Sequence, residues 1–149
     1  SAFPPIASTF APGAQYGAEF EVGMALNELL FDVPNLRSEN CPAKHHVRQG
    51  WMRAVCHLFH AFGVHSFLDE AAHLNNTNYV DYFLKLLGPD RRVDLTKDGV
   101  KPWNNGQSTD VFPMDTGRLR RVLEMAAEKS GYAKYKNTKN RAIGICAHR

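Results

Sequence analysis

Residues 43–88, AKHHVRQGWMRAVCHLFHAFGVHSFLDEAAHLNNTNYVDYFLKLLG, constrain the fold more than any other stretch. From Val55 to Leu74 the apolar positions Val64, Leu68, Ala71 and Ala72 recur at helical spacing, with Ala61 and Phe67 widening the stripe. The segment therefore predicts one long helix over 55–74, with Asn75-Asn76 ending it. Thr77 or Asn78 offers a short side-chain oxygen to the free first-turn amides of a second helix. That helix is expected over 78–87, carrying Tyr82, Phe83, Leu86 and Leu87. Gly88 supplies the residue after the last turn, and Pro89 forbids continuation.

The rest of the chain leads to this unit or away from it. Residues 1–28 are rich in proline, glycine and small residues, yet they carry Phe3, Ile6, Phe10, Tyr16 and Phe20. They predict an extended arm packed on a surface, followed by the body over 29–149. Leu36 to Cys41 fits a short strand. Residues 89–114 hold Gly99, Pro102, Asn104-Asn105-Gly106 and Pro113, and read as a long surface loop. Asp115 or Thr116 opens a third helix over 116–130, with Leu119, Val122, Leu123 and Ala126 in helical period and Gly131 as the stop. Arg120 and Glu124 stand four apart, where an ion pair contributes about 0.2–0.5 kcal/mol. Residues 142–148, AIGICAH, alternate as the start of a strand would. The expected class is α+β, helix-rich, with three main helices and short strands.

The chain has 149 residues, enough for one domain with a core of its own. Its net charge of +3 is spread along the sequence apart from Arg118, Arg120 and Arg121, which is no footprint for nucleic acid. No apolar run suits a membrane span, and no basic-then-apolar leader stands at the start. Three cysteines, at 41, 56 and 146, form neither a CxxC pair nor a disulfide framework.

Seven histidines raise the question of metal. His65, Asp69 and His73 fall on one helical line, but the outer two lie about 12 Å apart, beyond the reach of one ion. They are expected as a solvated polar face. His57 and His60 are better spaced but stand among Leu58 and Phe59, and His45-His46 has no third ligand nearby. No metal site is expected. Cys56, set among apolar neighbours, reads as an inert buried thiol. No nucleophile elbow, phosphate loop or dinucleotide fingerprint occurs. Arg53 stands apart: it follows Trp51, lies between a glycine-bearing loop and the long helix, and reads as a buried arginine. Its donor fork suits an oxyanion or the polar edge of a cofactor, or else the carbonyls of its own loop.

FDVPNLRSEN, VRQGWMRAVCHLFHAFGVHSFLDEAAH, YFLKLLG, FPMDTGRLRRVLEMAAEKSGY and NRAIGICAHR resemble consecutive blocks of one family. It is the molybdopterin-binding large subunit of the xanthine dehydrogenase/aldehyde oxidase family, in its isoquinoline 1-oxidoreductase beta-subunit branch. The likeness runs in order from about Phe10 to Arg149. It implies a central fragment of a molybdopterin-binding domain, in an enzyme that hydroxylates an N-heterocycle or oxidises an aldehyde with oxygen from water. The implied cofactor is molybdenum on molybdopterin, in bacterial members commonly the cytosine dinucleotide. Implied partners are the remainder of the subunit, a small subunit with two 2Fe–2S iron–sulfur clusters that carries electrons away, and a small-molecule substrate.

The resemblance also places residues. Gly50-Trp51-Met52-Arg53 falls where the family has a glycine/arginine loop near the molybdenum, so Arg53 and Trp51 are the expected residues close to substrate or cofactor. Phe83 stands where purine-oxidising members have an arginine, which implies an apolar substrate. The family's catalytic glutamate block, most pterin-binding loops and the iron–sulfur cysteines are not in this chain, so no catalytic residue is assigned and the chain alone is expected to be inactive. The rival reading is a non-catalytic scaffold or interaction module on the same fold. A bacterial cytoplasmic and a periplasmic address both remain open.

Overall fold

A computed structural model describes residues 22, 25–41, 53–135 and 138–149. Helix α1 spans His57–Leu74 and α2 spans Tyr79–Leu87. Strand β1, Arg92–Val93, pairs antiparallel with β2, Met114–Asp115, in the register Arg92 with Asp115 and Val93 with Met114. Helix α3 spans Thr116–Ser130. The class is α+β and helix-rich, as the hydrophobic periodicity predicts. Among the described residues no helix is long and apolar enough to cross a membrane.

The α1–α2 turn is built by asparagines. Asn75 donates its side-chain amide to the Ala71 carbonyl at 2.8 Å. Asn76 takes a positive φ of 53°, which asparagine tolerates better than most residues. Asn78 caps α2 by accepting from the Asp81 amide at 3.0 Å, satisfying one of the free first-turn donors. The turn folds α2 back onto α1. Tyr79, Val80, Phe83 and Leu87 of α2 then enter a core shared with Leu30, Leu68, Leu95, Met114, Leu123 and Ala147.

The exit from α2 is as tightly specified. Gly88 has φ 70° and ψ −159°, a region essentially reserved for glycine. A β-carbon there would also stand 2.6 Å from the Asp32 β-carbon. Asp32 cannot easily give way, because its amide donates to the Leu86 carbonyl at 2.7 Å. Arg91 then ties three segments together, donating to the carbonyls of Leu87 at 2.6 Å and Leu30 at 3.1 Å. Thr116, fully buried, closes the β1–β2 junction: its hydroxyl accepts from the Arg91 amide at 2.8 Å and faces the Pro89 carbonyl at 2.9 Å. Asp115 caps α3 by accepting from the Arg118 amide at 3.0 Å, and Gly131 ends it in the left-handed conformation.

Several expectations need correction. The 89–114 stretch is not a plain loop: it holds both β1 and the start of β2, plus 3₁₀ turns at Leu95–Asp98 and Asn104–Gly106. Neither 36–41 nor 142–148 is a strand. The second carries no assigned secondary structure and has no ladder partner among the described residues, following an isolated bridge between Thr138 and Arg141. Its alternation is nevertheless real, since Ala147 is buried and Ile145 packs against the core; side-chain burial, not strand pairing, produces the pattern. The arm over 1–21 lies outside the described residues. Ala25 and Glu28 are buried with the body. The Arg120–Glu124 ion pair expected from the spacing is present at 3.9 Å, and Arg120 also pairs more closely with Asp90 at 2.7 Å and donates to the Gly88 carbonyl.

The α1 face is also rotated from the expected stripe. Leu68 and Ala72 are buried, but the third buried position is His65, while Phe67 is 69% exposed. The cause is tertiary. Tyr79 gives the His65 imidazole a hydrogen-bonding partner inside the core, so the histidine can be buried where a solvated face was expected.

Candidate functional site

A turn over 53–56 leads directly into α1. Ala54 has φ 69° and Val55 φ 43°. For a β-branched residue this is strained backbone, costing roughly 1–3 kcal/mol and typical of functional segments. Arg53 precedes this pair and is exposed, which corrects the reading of it as buried. Among the described residues its guanidinium has neither a hydrogen-bond nor an ion-pair partner. Cys56 is buried, as its neighbours predict. It occupies the cap position of α1 without a side-chain cap bond. Trp51, the other expected site residue, lies outside the described residues, as does the His45-His46 pair.

A second constellation joins α1 to residues 142–149. His57 Nδ1 stands 3.5 Å from His148 Nε2, with ring centroids 5.6 Å apart and nearly perpendicular. The His65 ring lies on another side of His148, also at 5.6 Å and edge to face. His65 Nδ1 pairs with the Tyr79 hydroxyl at 2.6 Å, while its buried Nε2 has no partner among the described residues. Burial, together with the neighbouring imidazoles of His65, His57 and His60, pushes His148 down to about 4. Burial also lowers His65 and raises the Tyr79 phenol. The low local polarity disfavours charge on each group.

Beside the histidines, Arg149 lies 3.5 Å from Glu28 Oε2, a carboxylate only 5% exposed. Glu28 Oε1 accepts from the Asn104 amide at 2.7 Å, and Asn104 Oδ1 accepts from Arg149. An open groove of about 340 Å³ runs past this network. Phe112, Leu119 and Val122 give it an apolar floor, and Arg118, His148 and Arg149 a polar end. A smaller cavity of about 20 Å³, room for one water, lies between Glu28, His65 and His148.

Among the described residues no three His, Cys, Asp or Glu side chains are placed to hold a metal ion. The line of His65, Asp69 and His73 is split between interior and solvent: the first is buried and the other two exposed. His148 was missed by reasoning from local spacing because it lies 91 residues from His57. The signal that could have found it is the alternation of AIGICAH, which marks one side of that segment for burial. Compared with models of known families, with curated proteins and with solved structures, the chain finds no match.

Proposed function

We propose that this chain is part of the molybdopterin-binding subunit of a molybdenum hydroxylase that oxidises an N-heterocycle or an aldehyde. The observation that carries the reading is the ordered set of five sequence blocks, with GWMRAVCHLFHAF running into α1 at Arg53. The geometry at that point fits one edge of such a cofactor. A molybdenum held by its pterin asks the protein for hydrogen-bond donors and close backbone approach, not for a cluster of side-chain ligands. Arg53 offers an exposed guanidinium without an acceptor among the described residues, beside a strained turn, and the first turn of the 18-residue α1 has no side-chain cap bond. The positive end of a helix and a planar donor fork both favour electron-rich oxygen. When bound, the molybdopterin, as its cytosine dinucleotide, supplies the oxidising centre. In this reading Arg53 orients the cofactor or substrate and Trp51 is the second site residue the resemblance implies; Phe83, packed against Phe31 and Tyr79, is a buried core residue and not a substrate contact.

The exposed apolar side chains of α1, Leu58, Phe59, Phe62 and Leu74, are consistent with a larger body around this segment. The remainder of the subunit and a small iron–sulfur subunit are the proposed partners. Native mass spectrometry with metal analysis, on protein purified from its source without denaturant, tests the reading. Molybdenum and a pterin nucleotide travelling with further polypeptides are the expected result. A lone 16.7 kDa species without molybdenum would overturn it and leave the scaffold module as the function.

A further inference from the structure

Residues 142–149 are fastened to the body at two adjacent points. One is the pairing of Arg149 with the buried Glu28 and with Asn104. The other is His148, set against His57 at 3.5 Å between ring nitrogens and against the ring of His65. Buried Ala147 lies next to both.

The groups around His148 are mostly neutral or positive. From α1 come His57, His60 and His65, and behind His65 stands the Tyr79 phenol. The segment itself brings Cys146 and Arg149. Arg118, at the start of α3, lines the same groove. The nearby carboxylates are engaged: Glu28 accepts from Arg149 and from the Asn104 amide, and Asp115 accepts from the Arg118 amide. No carboxylate is hydrogen-bonded to His148 among the described residues; Glu28, which borders the same small cavity, is paired with Arg149. Two imidazole nitrogens at 3.5 Å attract only while one of them is an unprotonated acceptor. With both protonated, N–H meets N–H and two like charges lie side by side.

We infer that residues 142–149 form a pH-dependent clasp, docked on α1 while the His148 imidazole, set against His57 and His65, is neutral, and released when it becomes protonated. The titration direction agrees with the geometry. In the docked segment burial and the neighbouring imidazoles lower His148 from its ordinary 6.5 to about 4. The docked form therefore binds fewer protons than the released form and is fully favoured above pH 6.5. As pH falls from 6.5 towards 4 the docking equilibrium weakens, by up to about tenfold per pH unit through His148. Release opens the 20 Å³ cavity and the groove together, because His148 and Arg149 line both. It also uncovers the imidazole side of α1. A fall in pH is thereby converted into a newly accessible surface.

The test is a pH titration of the isotopically labelled 149-residue chain by NMR, following the His148 imidazole carbons and the amides of residues 143–149. The expected result is a His148 midpoint at least one unit below 6.5, with the segment's amides shifting over the same range. His148→Gln, neutral at every pH, should remove about tenfold of the docking change between pH 6.5 and 5, relative to wild type. Its amide pattern at pH 8 reports whether α2 and α3 are intact, and the wild-type titration is decisive alone. A His148 midpoint at or above 6.5 would overturn the clasp. So would amides that stay still while the imidazole titrates, or a His148→Gln chain that folds and releases the segment as the wild type does.

Discussion

Replacing Gly88 with alanine should be far more costly than the same change at Gly131, although both glycines follow a helix with φ near 70°. At Gly131 the backbone is ordinary left-handed helical, φ 69° and ψ 26°, and a β-carbon would meet nothing within 4 Å. The expected cost is the left-handed penalty alone, about 1–2 kcal/mol. At Gly88, ψ of −159° lies where side chains are excluded, contributing roughly 1–3 kcal/mol. The new β-carbon would also sit 2.6 Å from the Asp32 β-carbon. That collision cannot relax freely, because the Asp32 amide is bonded to Leu86 and the Gly88 carbonyl accepts from Arg120. Displaced backbone around a tight contact adds about 1–3 kcal/mol. The sum is about 2–6 kcal/mol, large against a typical domain stability of about 5–15 kcal/mol. Urea unfolding, with midpoint and slope fitted for wild type, Gly88→Ala, Gly131→Ala and the pair Asp32→Gly/Gly88→Ala, reads the difference. The Asp32→Gly background should recover the collision part and leave the backbone part. Equal losses for the two single alanine variants, or no recovery in the pair, would refute the account of Gly88 as a close-approach position.

Other outcomes follow from the same contacts. Leu123→Ala should cost about 2–5 kcal/mol in urea unfolding, since the side chain is fully buried and its cavity cannot collapse completely. Thr116→Val keeps the shape but leaves the Arg91 amide without its hydroxyl acceptor, and should cost about 1–3 kcal/mol by thermal unfolding. Asn78→Ala removes the α2 cap and should cost about 1 kcal/mol, with hydrogen exchange rising first at Asp81. Arg53→Ala should leave the unfolding midpoint of the isolated chain unchanged, because the side chain is exposed. In the proposed enzyme it should instead reduce turnover or molybdopterin retention, measured by metal content. Loss of stability in Arg53→Ala would show that its role is to hold the loop.

The sequence alone determined the three helices and most of their punctuation. Asn78, Asp115, Gly88 and Gly131 act over a few residues, through amides and φ angles that are local quantities, so their roles could be read from spacing. The α+β class followed from the same signals. Tertiary structure decided the rest. Periodicity located the α1 surface but could not show that Tyr79 makes His65 tolerable inside, nor that Phe67 turns outward. The 142–148 alternation suggested a strand that is not there, because the same pattern arises when a segment packs one side on a core without pairing. Arg53 was found by its place in the chain, while its exposure became visible only in the fold. The meeting of His148 with His57 and His65, and of Arg149 with Glu28, is set by how the chain returns to α1 after α3. Those pairings join distant residues, and the electrostatics between them exist only once the fold has brought them together.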